Sequence, residues 1–552
     1  MTAKRVLIIG GVAGGASCAA RLRRLSEEAE IIVFDRGPYV SFANCGLPYY
    51  VGDVIKEESS LLVASADLFH QRFNIDVRTE NEVLDIDCVQ RQIAVRDVRT
   101  GRTYSERYDE LVLAPGAAPI RPPLPGIDLA GVFSLRTIPD SRRIRTWIEE
   151  HNARRAVVVG AGFVGLEIAE NLVHRGLEVS LIEMGDHVLP PLDSEMAEPL
   201  HEHLRAQGIQ LILGDGVAGF AENAQGIEVS TCSGATHQAD LVILGIGVRP
   251  ETRLAASAGL KLGRRKGIAV DEQMRTSDPH IWAVGDAVEV KDFVTGEQSL
   301  IPLAGPANRQ GRIAADAICG RDSRFRGVQA TAVCGLFGMV AAASGASEKT
   351  LVRLGIPYEK VYLHPGHHVG YYPDARPIDM KLLFDPEDGR ILGIQAVGEA
   401  GVEKRVDVIA TAIAQGSTVF DLEELELCYA PQFGAAKDPV NIAGMVAANA
   451  LRGDAPLAHW DREDRASGVV LDVRDEDEFG AEHVPGAHNI PLGQLRERMG
   501  ELPQGRPIYV YCQVGQRAYY ATRALRLNGL DAYNLSGGFT TYQRMANSEQ
   551  GV

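Results

Sequence analysis

Two cysteines stand where sulfur chemistry is possible. Cys45, in Ser41-Phe-Ala-Asn-Cys-Gly-Leu-Pro-Tyr-Tyr50, has no second cysteine beside it; its neighbours along the chain are Cys18 and Cys88. Thiol–disulfide exchange proceeds by thiolate attack on another sulfur, so redox chemistry at Cys45 needs that sulfur, or an oxygen, from a ligand. Cys512, in Ile508-Tyr-Val-Tyr-Cys-Gln-Val-Gly-Gln-Arg517-Ala518, ends an apolar run and opens a six-residue loop into a helical stretch. Backbone N–H groups and a helix dipole at such a loop stabilise a thiolate or persulfide, and Arg517 adds positive charge. None of the eight cysteines lies in C-x-x-C or in a Cys/His cluster, so no metal site is expected and the other cysteines read as inert thiols.

The elements that must position Cys45 begin with Arg5-Val-Leu-Ile-Ile-Gly10, a buried strand, and the turn Gly11-Val12-Ala13-Gly14-Gly15 into a helix. The second strand, Ile31-Ile-Val-Phe-Asp35, ends in an acid suited to a ribose hydroxyl, while the glycines let backbone approach a pyrophosphate. The pattern departs from G-x-G-x-x-G at Val12. A second copy is complete: Gly160-Ala-Gly162-Phe163-Val164-Gly165 follows a strand, and Glu183 closes the next one. A carboxylate there accepts from a ribose 2′-hydroxyl and repels a 2′-phosphate, and Met184, Gly185 and Asp186 supply no arginine, so NADH is expected over NADPH.

Two dinucleotide sites, one beside a cysteine, resemble the pyridine-nucleotide disulfide oxidoreductases, in which FAD takes the first site and NAD(P)H the second. Thr276-Ser-Asp-Pro-His-Ile-Trp-Ala-Val-Gly-Asp286 resembles the second FAD motif, and Glu110-Leu-Val-Leu-Ala114-Pro-Gly116 the strand that leaves the FAD domain. The resemblance spans Arg5 to about Arg452 and implies FAD contacts at Gly10, Gly11, Val12, Ala13, Gly14, Asp35, Arg36, Val83, Ala114, Asp286 and Ala304. It places NAD at Gly160, Gly162, Phe163, Val164, Gly165 and Glu183. Disulfide reductases with two protein cysteines carry both close together at this place, so Cys45 resembles the single-cysteine branch. Oxidases and peroxidases of that branch carry a histidine in the first glycine loop; Gly11 to Gly14 has none, which weakens that alternative.

The loop and first helix instead resemble coenzyme A-disulfide reductases, whose single cysteine forms a mixed disulfide with CoA. Ser17, Arg21 and Arg24 share one helix face that can meet phosphates, and Ser41 and Asn44 flank the cysteine. By the same resemblance Asn308 and Lys437 touch CoA, and Tyr371 and Tyr429, in Gly370-Tyr-Tyr-Pro373 and Cys428-Tyr-Ala-Pro431, reach the cysteine of a partner subunit as proton donors. A homodimer follows from this.

After Arg452 the character changes, and Val469-Val-Leu-Asp472-Val-Arg474, His483-Val-Pro-Gly-Ala-His488 and Leu535-Ser-Gly-Gly-Phe539 resemble a rhodanese domain built around Cys512. The expected fold is α/β: two Rossmann-like FAD/NAD(P)-binding domains, an α+β dimerisation domain and a C-terminal α/β rhodanese domain. The expected segments are 1–118 and 243–325 for FAD, 119–242 for NAD(P)H, 326–452 for dimerisation, 453–465 as linker and 466–552 for the rhodanese domain. A chain of 552 residues has ample core for this, and a net charge of −17 argues against a nucleic-acid partner. The apolar start is expected to be a strand rather than a leader, no spanning run follows it, and a cytoplasmic location is expected.

The expected activity is NADH-dependent, FAD-mediated reduction of CoA disulfide, CoA persulfide or polysulfide through a Cys45–S–S–CoA mixed disulfide, with Cys512 catalytic in supplying or accepting sulfane sulfur. The alternatives are an NADH oxidase or peroxidase working through a Cys45 sulfenate, and a redox-sensing sulfur relay.

Overall fold

A computed structural model describes residues 4–461 and 468–550. The chain divides into two compact units, one of residues 1–182 with 216–330 and the other of residues 183–215 with 331–552.

The first unit contains two parallel sheets. In the first, the order is Ile281–Ala283, Glu110–Leu113, Arg5–Ile9, Glu30–Phe34, Asp76–Arg78. These short apolar strands are buried along nearly their whole length, as expected of a parallel sheet covered on both faces. Gly10 sits at φ +96°, and a Cβ on Gly15 would lie 1.9 Å from the Gly10 carbonyl oxygen, so the turn into helix Ala13–Leu25 closes only with glycine at both places. The second sheet repeats the design with Glu178–Ile182, Arg155–Val159, Leu241–Leu244 and Val132–Ser134 in parallel. Gly160 is at φ +97°, and a Cβ on Gly165 would come within 1.8 Å of its carbonyl oxygen.

The second unit begins with an antiparallel sheet in the order Ala332–Leu336, Met339–Gly345, Ile391–Gly398, Ile378–Phe384, Glu359–Leu363, with helix Val402–Gln415 packed on it. Residues 183–215, expected within the NAD(P)H domain, group with this unit. Lys381 explains why: it is fully buried and donates to Asp193 at 2.8 Å, Glu195 at 2.5 Å and Glu348 at 2.5 Å. These three carboxylates lie close enough to hold a metal ion, and the ammonium fills that role. Burial works against ionising Glu348, but Lys381 and Lys360 hold its carboxyl down to about 2.

The C-terminal sheet is parallel, in the order Leu457–Ala458, Ala532–Leu535, Ile508–Tyr511, Val469–Asp472, His488–Asn489. The expected linker is therefore folded in its described part: Leu457–Ala458 is an edge strand, and Trp460 is buried against Tyr511 and Tyr542. A two-residue strand leaves no periodic signal in sequence. The expected boundary at 465/466 lies outside the described residues. This sheet is fixed to the antiparallel one by Tyr362 N–H to Ser536 Oγ at 2.9 Å, Lys360 to Asp461 at 2.6 Å, and His364 Nε2 with Thr541 Oγ1 at 2.9 Å. Among the described residues no helix is long and apolar enough to cross a membrane.

Candidate active site

Helix Ala13–Leu25, helix Ala304–Ile318 and the segment 41–45 wall one cavity of about 1400 Å³ in the first unit, large enough for a dinucleotide with room beside it. Of the expected FAD and CoA residues it brings together Gly10, Val12, Ala13, Gly14, Asp35, Arg36, Ala114, Asp286 and Ala304 with Ser17, Arg24, Ser41, Asn44, Asn308 and Cys45. Both helices present their N-termini without a side-chain cap, leaving backbone donors and the positive dipole end for electronegative ligand atoms. Asp35 accepts from Gly11 N–H at 3.0 Å and Gly37 N–H at 2.9 Å; burial pushes its carboxyl up, and these two donors pull it down. A Cβ on Gly14 would stand 2.9 Å from Val284 Cγ2, so glycine lets the turn lie against the segment that follows strand Ile281–Ala283 and carries Asp286. Asp286 itself accepts from Arg136 at 3.1 Å, and Gly285 N–H donates to Gln310 Oε1 at 2.7 Å. Arg36 is held by Glu251 at 2.5 and 3.1 Å.

Cys45 rides on a single 3₁₀ turn, Asn44–Gly46, ahead of the short helix Leu47–Val51. The residue is exposed, yet the protein around it withdraws enough water for desolvation to push its thiol above the usual range; Glu167 and Asp286 add to this and Arg136 opposes it. The depressed thiol that exchange chemistry favours is thus not supplied by the polypeptide alone. Glu167, on helix Phe163–His174, is itself raised to about 7, by desolvation first, and Tyr49 donates to it at 3.5 Å. Ser41 takes a left-handed backbone, φ +48°, rare for a residue with a Cβ, while its carbonyl accepts from Val63 and its N–H donates to Gly11. Asn44 Oδ1 is buried with no hydrogen-bond partner. An orphaned acceptor beside the cysteine, with Arg24 and Arg312 on the same cavity, is a set built to meet a ligand carrying both a donor and phosphates.

Four expected contacts, Gly11, Arg21, Val83 and Lys437, do not line this cavity. Arg21 is spent on Asp316, with NH2 to Oδ1 at 2.7 Å and Nε to the same oxygen at 2.9 Å. Val83 is buried in the core on strand Asn81–Asp87. Ser17 and Asn308, by contrast, hydrogen-bond to one another on adjacent helices. Arg136, Glu167 and Arg312 went unnoticed in the sequence because nothing local marks them.

At the second dinucleotide turn, Gly162 caps helix Phe163–His174 with no atom near its Cβ position, open space through which phosphate can approach. Val164 is exposed beside it, and Glu183 follows the last residue of strand Glu178–Ile182 and accepts from Gly185 N–H at 2.8 Å.

In the second unit, Tyr371 and Tyr429 meet hydroxyl to hydroxyl at 2.9 Å although 58 residues separate them, and both rings are exposed. That contact pushes the Tyr371 phenol upward. Lys437 is exposed, directly ahead of the buried Asp438, which pairs with Arg405 at 2.9 Å. Cys512 ends strand Ile508–Tyr511 at 1% exposure. Its carbonyl accepts from Phe539 N–H at 2.8 Å, and Gly538 lies so close that a Cβ would fall 2.3 Å from that oxygen. Arg517 is held by Glu478 at 2.6 and 2.7 Å.

The comparisons agree with this geometry. Residues 4–311 match the pyridine nucleotide-disulphide oxidoreductase family, 331–438 its dimerisation domain and 457–545 the rhodanese-like domain. The crystal structure of reduced CoADR-RHD from Bacillus anthracis superposes with a TM-score of 0.97 at 48% identity, over 99% of both chains. An NAD-dependent persulfide reductase from A. fulgidus gives 0.91 at 37% identity, over 98% of this chain and 100% of that one. A coenzyme A disulfide reductase of Staphylococcus epidermidis is 34% identical over 80% of this chain and 99% of its own length, and a Methanocaldococcus jannaschii protein named NADH oxidase is 36% identical over 80% and 97%. With one family model spanning more than half of its length, this chain belongs to the pyridine nucleotide-disulphide oxidoreductases.

Proposed function

We propose that the protein is a homodimeric, FAD-dependent NADH oxidoreductase that reduces CoA disulfide or CoA persulfide at Cys45, with sulfane sulfur handled at Cys512. The observation that carries this reading is the lone Cys45 opening into the cavity shared by the first dinucleotide turn and by Ser17, Arg24 and Asn44, with Asn44 Oδ1 unpartnered. The relatives named for CoA disulfide and persulfide reduction support it.

Cys45 thiolate attacks the CoA-bearing sulfur; a Cys45–S–S–CoA bond forms, the original S–S bond breaks, and a thiolate or hydrosulfide leaves with the electron pair. Gly10, Gly14, Asp35, Asp286 and Ala304 would hold FAD, which, once reduced by NADH, would supply the two electrons needed to return Cys45 to thiolate with release of CoA as its thiol. Arg24 and the helix N-termini hold phosphates, Asn44 orients the pantetheine end, and the Tyr371 and Tyr429 hydroxyls of a second copy protonate or hold the departing thiolate. Glu183 selects NADH by repelling a 2′-phosphate.

Intact-protein mass spectrometry of the purified enzyme, with and without reductant, tests the reading. The expected result is a reducible adduct of CoA mass that disappears in Cys45→Ser. An oxygen-sized adduct on Cys45 and no CoA would replace it with the oxidase or peroxidase reading.

A further inference from the structure

The sulfur loop around Cys512 contains one cationic side chain, Arg517, in the sequence Cys512-Gln-Val-Gly-Gln-Arg517. Its guanidinium is close enough to Cys512 to interact with the sulfur electrostatically, yet it is turned onto acids: NH1 and NH2 meet the two Glu478 carboxylate oxygens at 2.6 and 2.7 Å, and NH1 meets Asp475 at 3.4 Å. Asp475 and Glu478 are fixed in that position by a reciprocal capping box at the start of helix Glu476–Ala481, whose first turn adds Glu476 and Asp477. A second cation, Arg474, is buried and bound by both oxygens of Asp472, and it also donates to Gln513 Oε1 at 3.3 Å and the Glu482 carbonyl at 2.7 Å. Arg517 and Arg474 are thus each matched by at least one carboxylate, with Glu476 and Asp477 as further acids in the same helical turn.

We propose that Glu478 sets the donor specificity of Cys512 by neutralising Arg517, so that the loop takes sulfane sulfur from organic persulfides and excludes small inorganic dianions such as thiosulfate. The inference rests on the reading of Cys512 as a sulfur-accepting residue. In the favoured reaction Cys512 thiolate attacks the outer sulfur of R–S–SH; the new Cys512–S–SH bond forms, the R–S bond to that sulfur breaks, and RS⁻ leaves with the electron pair. Thiosulfate would donate in the same way with sulfite as leaving group, but it brings two negative charges to the reacting atoms. In an organic persulfide such as that of cysteine or CoA, the charges of the carrier sit several bonds away. Repulsion between a dianion and an uncompensated acidic turn falls with distance and with salt.

The test uses full-length Cys45→Ser enzyme and follows mass gain with cysteine persulfide or thiosulfate as donor, the sulfur that is lost when Cys512→Ser is added to the same protein being the reading for Cys512, since other cysteines remain exposed. Cysteine persulfide is expected to load at least about a hundredfold faster than thiosulfate. Raising ionic strength should speed thiosulfate loading, because it screens repulsion. Adding Glu478→Gln, which keeps the capping geometry and removes the charge, should raise thiosulfate loading at least about tenfold and leave cysteine persulfide within about threefold. Thiosulfate loading that slows with salt would overturn the proposal without any variant, as would a Glu478→Gln protein whose thiosulfate rate is unchanged. If neither donor adds sulfur in a protein that still has Cys512, the sulfur-accepting reading itself fails and the specificity argument goes with it.

Discussion

Cys45 and Cys512 solve the problem of a reactive sulfur in opposite ways. Cys45 is exposed on one 3₁₀ turn and flanked by a large cavity, with desolvation and two acids raising its thiol. Cys512 is almost wholly covered, its carbonyl clamped by Phe539 N–H and by the glycine wall at Gly538, and helix Gln516–Leu527 begins four residues on. The first site is completed by what binds there; the second is built from its own backbone. Loss of ligand contacts should therefore cripple the first, whereas the second should answer mainly to the loop and its charges.

The largest expected effect separates the two outright. Cys45→Ser should lower NADH-dependent CoA-disulfide turnover at least about ten-thousandfold while leaving anaerobic reduction of bound flavin by NADH intact in stopped flow. Cys512→Ser should leave CoA-disulfide turnover within about twofold and abolish sulfur loading at 512. A Cys512→Ser enzyme that loses disulfide reduction would mean that the two sulfurs act as one centre.

Within the second unit, the buried Lys381 network ties residues 193 and 195 to the sheet that also carries the C-terminal domain. Lys381→Met leaves Asp193, Glu195 and Glu348 without their cation and should cost about 3–5 kcal/mol in urea unfolding of the second unit. The pH sense follows from the depressed carboxyls. Despite burial, Asp193 and Glu348 are held below their unfolded values by Lys381, so their stabilisation is complete above about pH 5 and is lost as pH falls toward 2. Unfolding midpoints that ignore pH between 5 and 3 would remove the network from this role.

What was legible in the sequence was local. Apolar runs ending in glycine turns and acids announced both dinucleotide units, and a cysteine between a buried strand and a helix announced the C-terminal loop, because each of these codes fits within a short stretch of backbone. Partners brought by folding were not legible. Arg21 lies on the helix face that carries Ser17 and Arg24, but Asp316, 295 residues on, claims it. Asp193 and Lys381 are 188 residues apart and nothing in either neighbourhood points to the other. Arg517 is legible in sequence as a positive charge at the loop, but its partner Glu478 lies 39 residues away along the chain. The edge strand at Leu457–Ala458 hid within a polar stretch for the same reason, since its partner lies at Asn534–Leu535.

The tyrosine pair sharpens the comparison at intermediate size. If a second copy delivers Tyr371 and Tyr429 to Cys45, each Tyr→Phe change should slow CoA-disulfide turnover by about a hundredfold with no effect on sulfur loading at Cys512. Their hydroxyls are hydrogen-bonded to one another, so the double variant should fall well short of the product of the singles. Multiplicative losses would mean that they act separately.

The smallest expected effect concerns why Cys45 is held up. Glu167 is raised to about 7 by its own desolvation, so above neutral pH it is ionised and opposes formation of the Cys45 thiolate, whereas below it the carboxyl is neutral and the opposition lapses. Glu167→Gln removes the charge at every pH. The midpoint for iodoacetamide alkylation of Cys45 should then move down in pH, though desolvation, the larger cause, still holds it above the usual range. Asp286 also raises Cys45 but is tied to Arg136, whose charge works the other way, so Asp286→Asn should move the midpoint less than Glu167→Gln. An upward shift in Glu167→Gln would show that the carboxylate helps the thiolate form, as a proton acceptor, and that its charge is not what holds the thiol up.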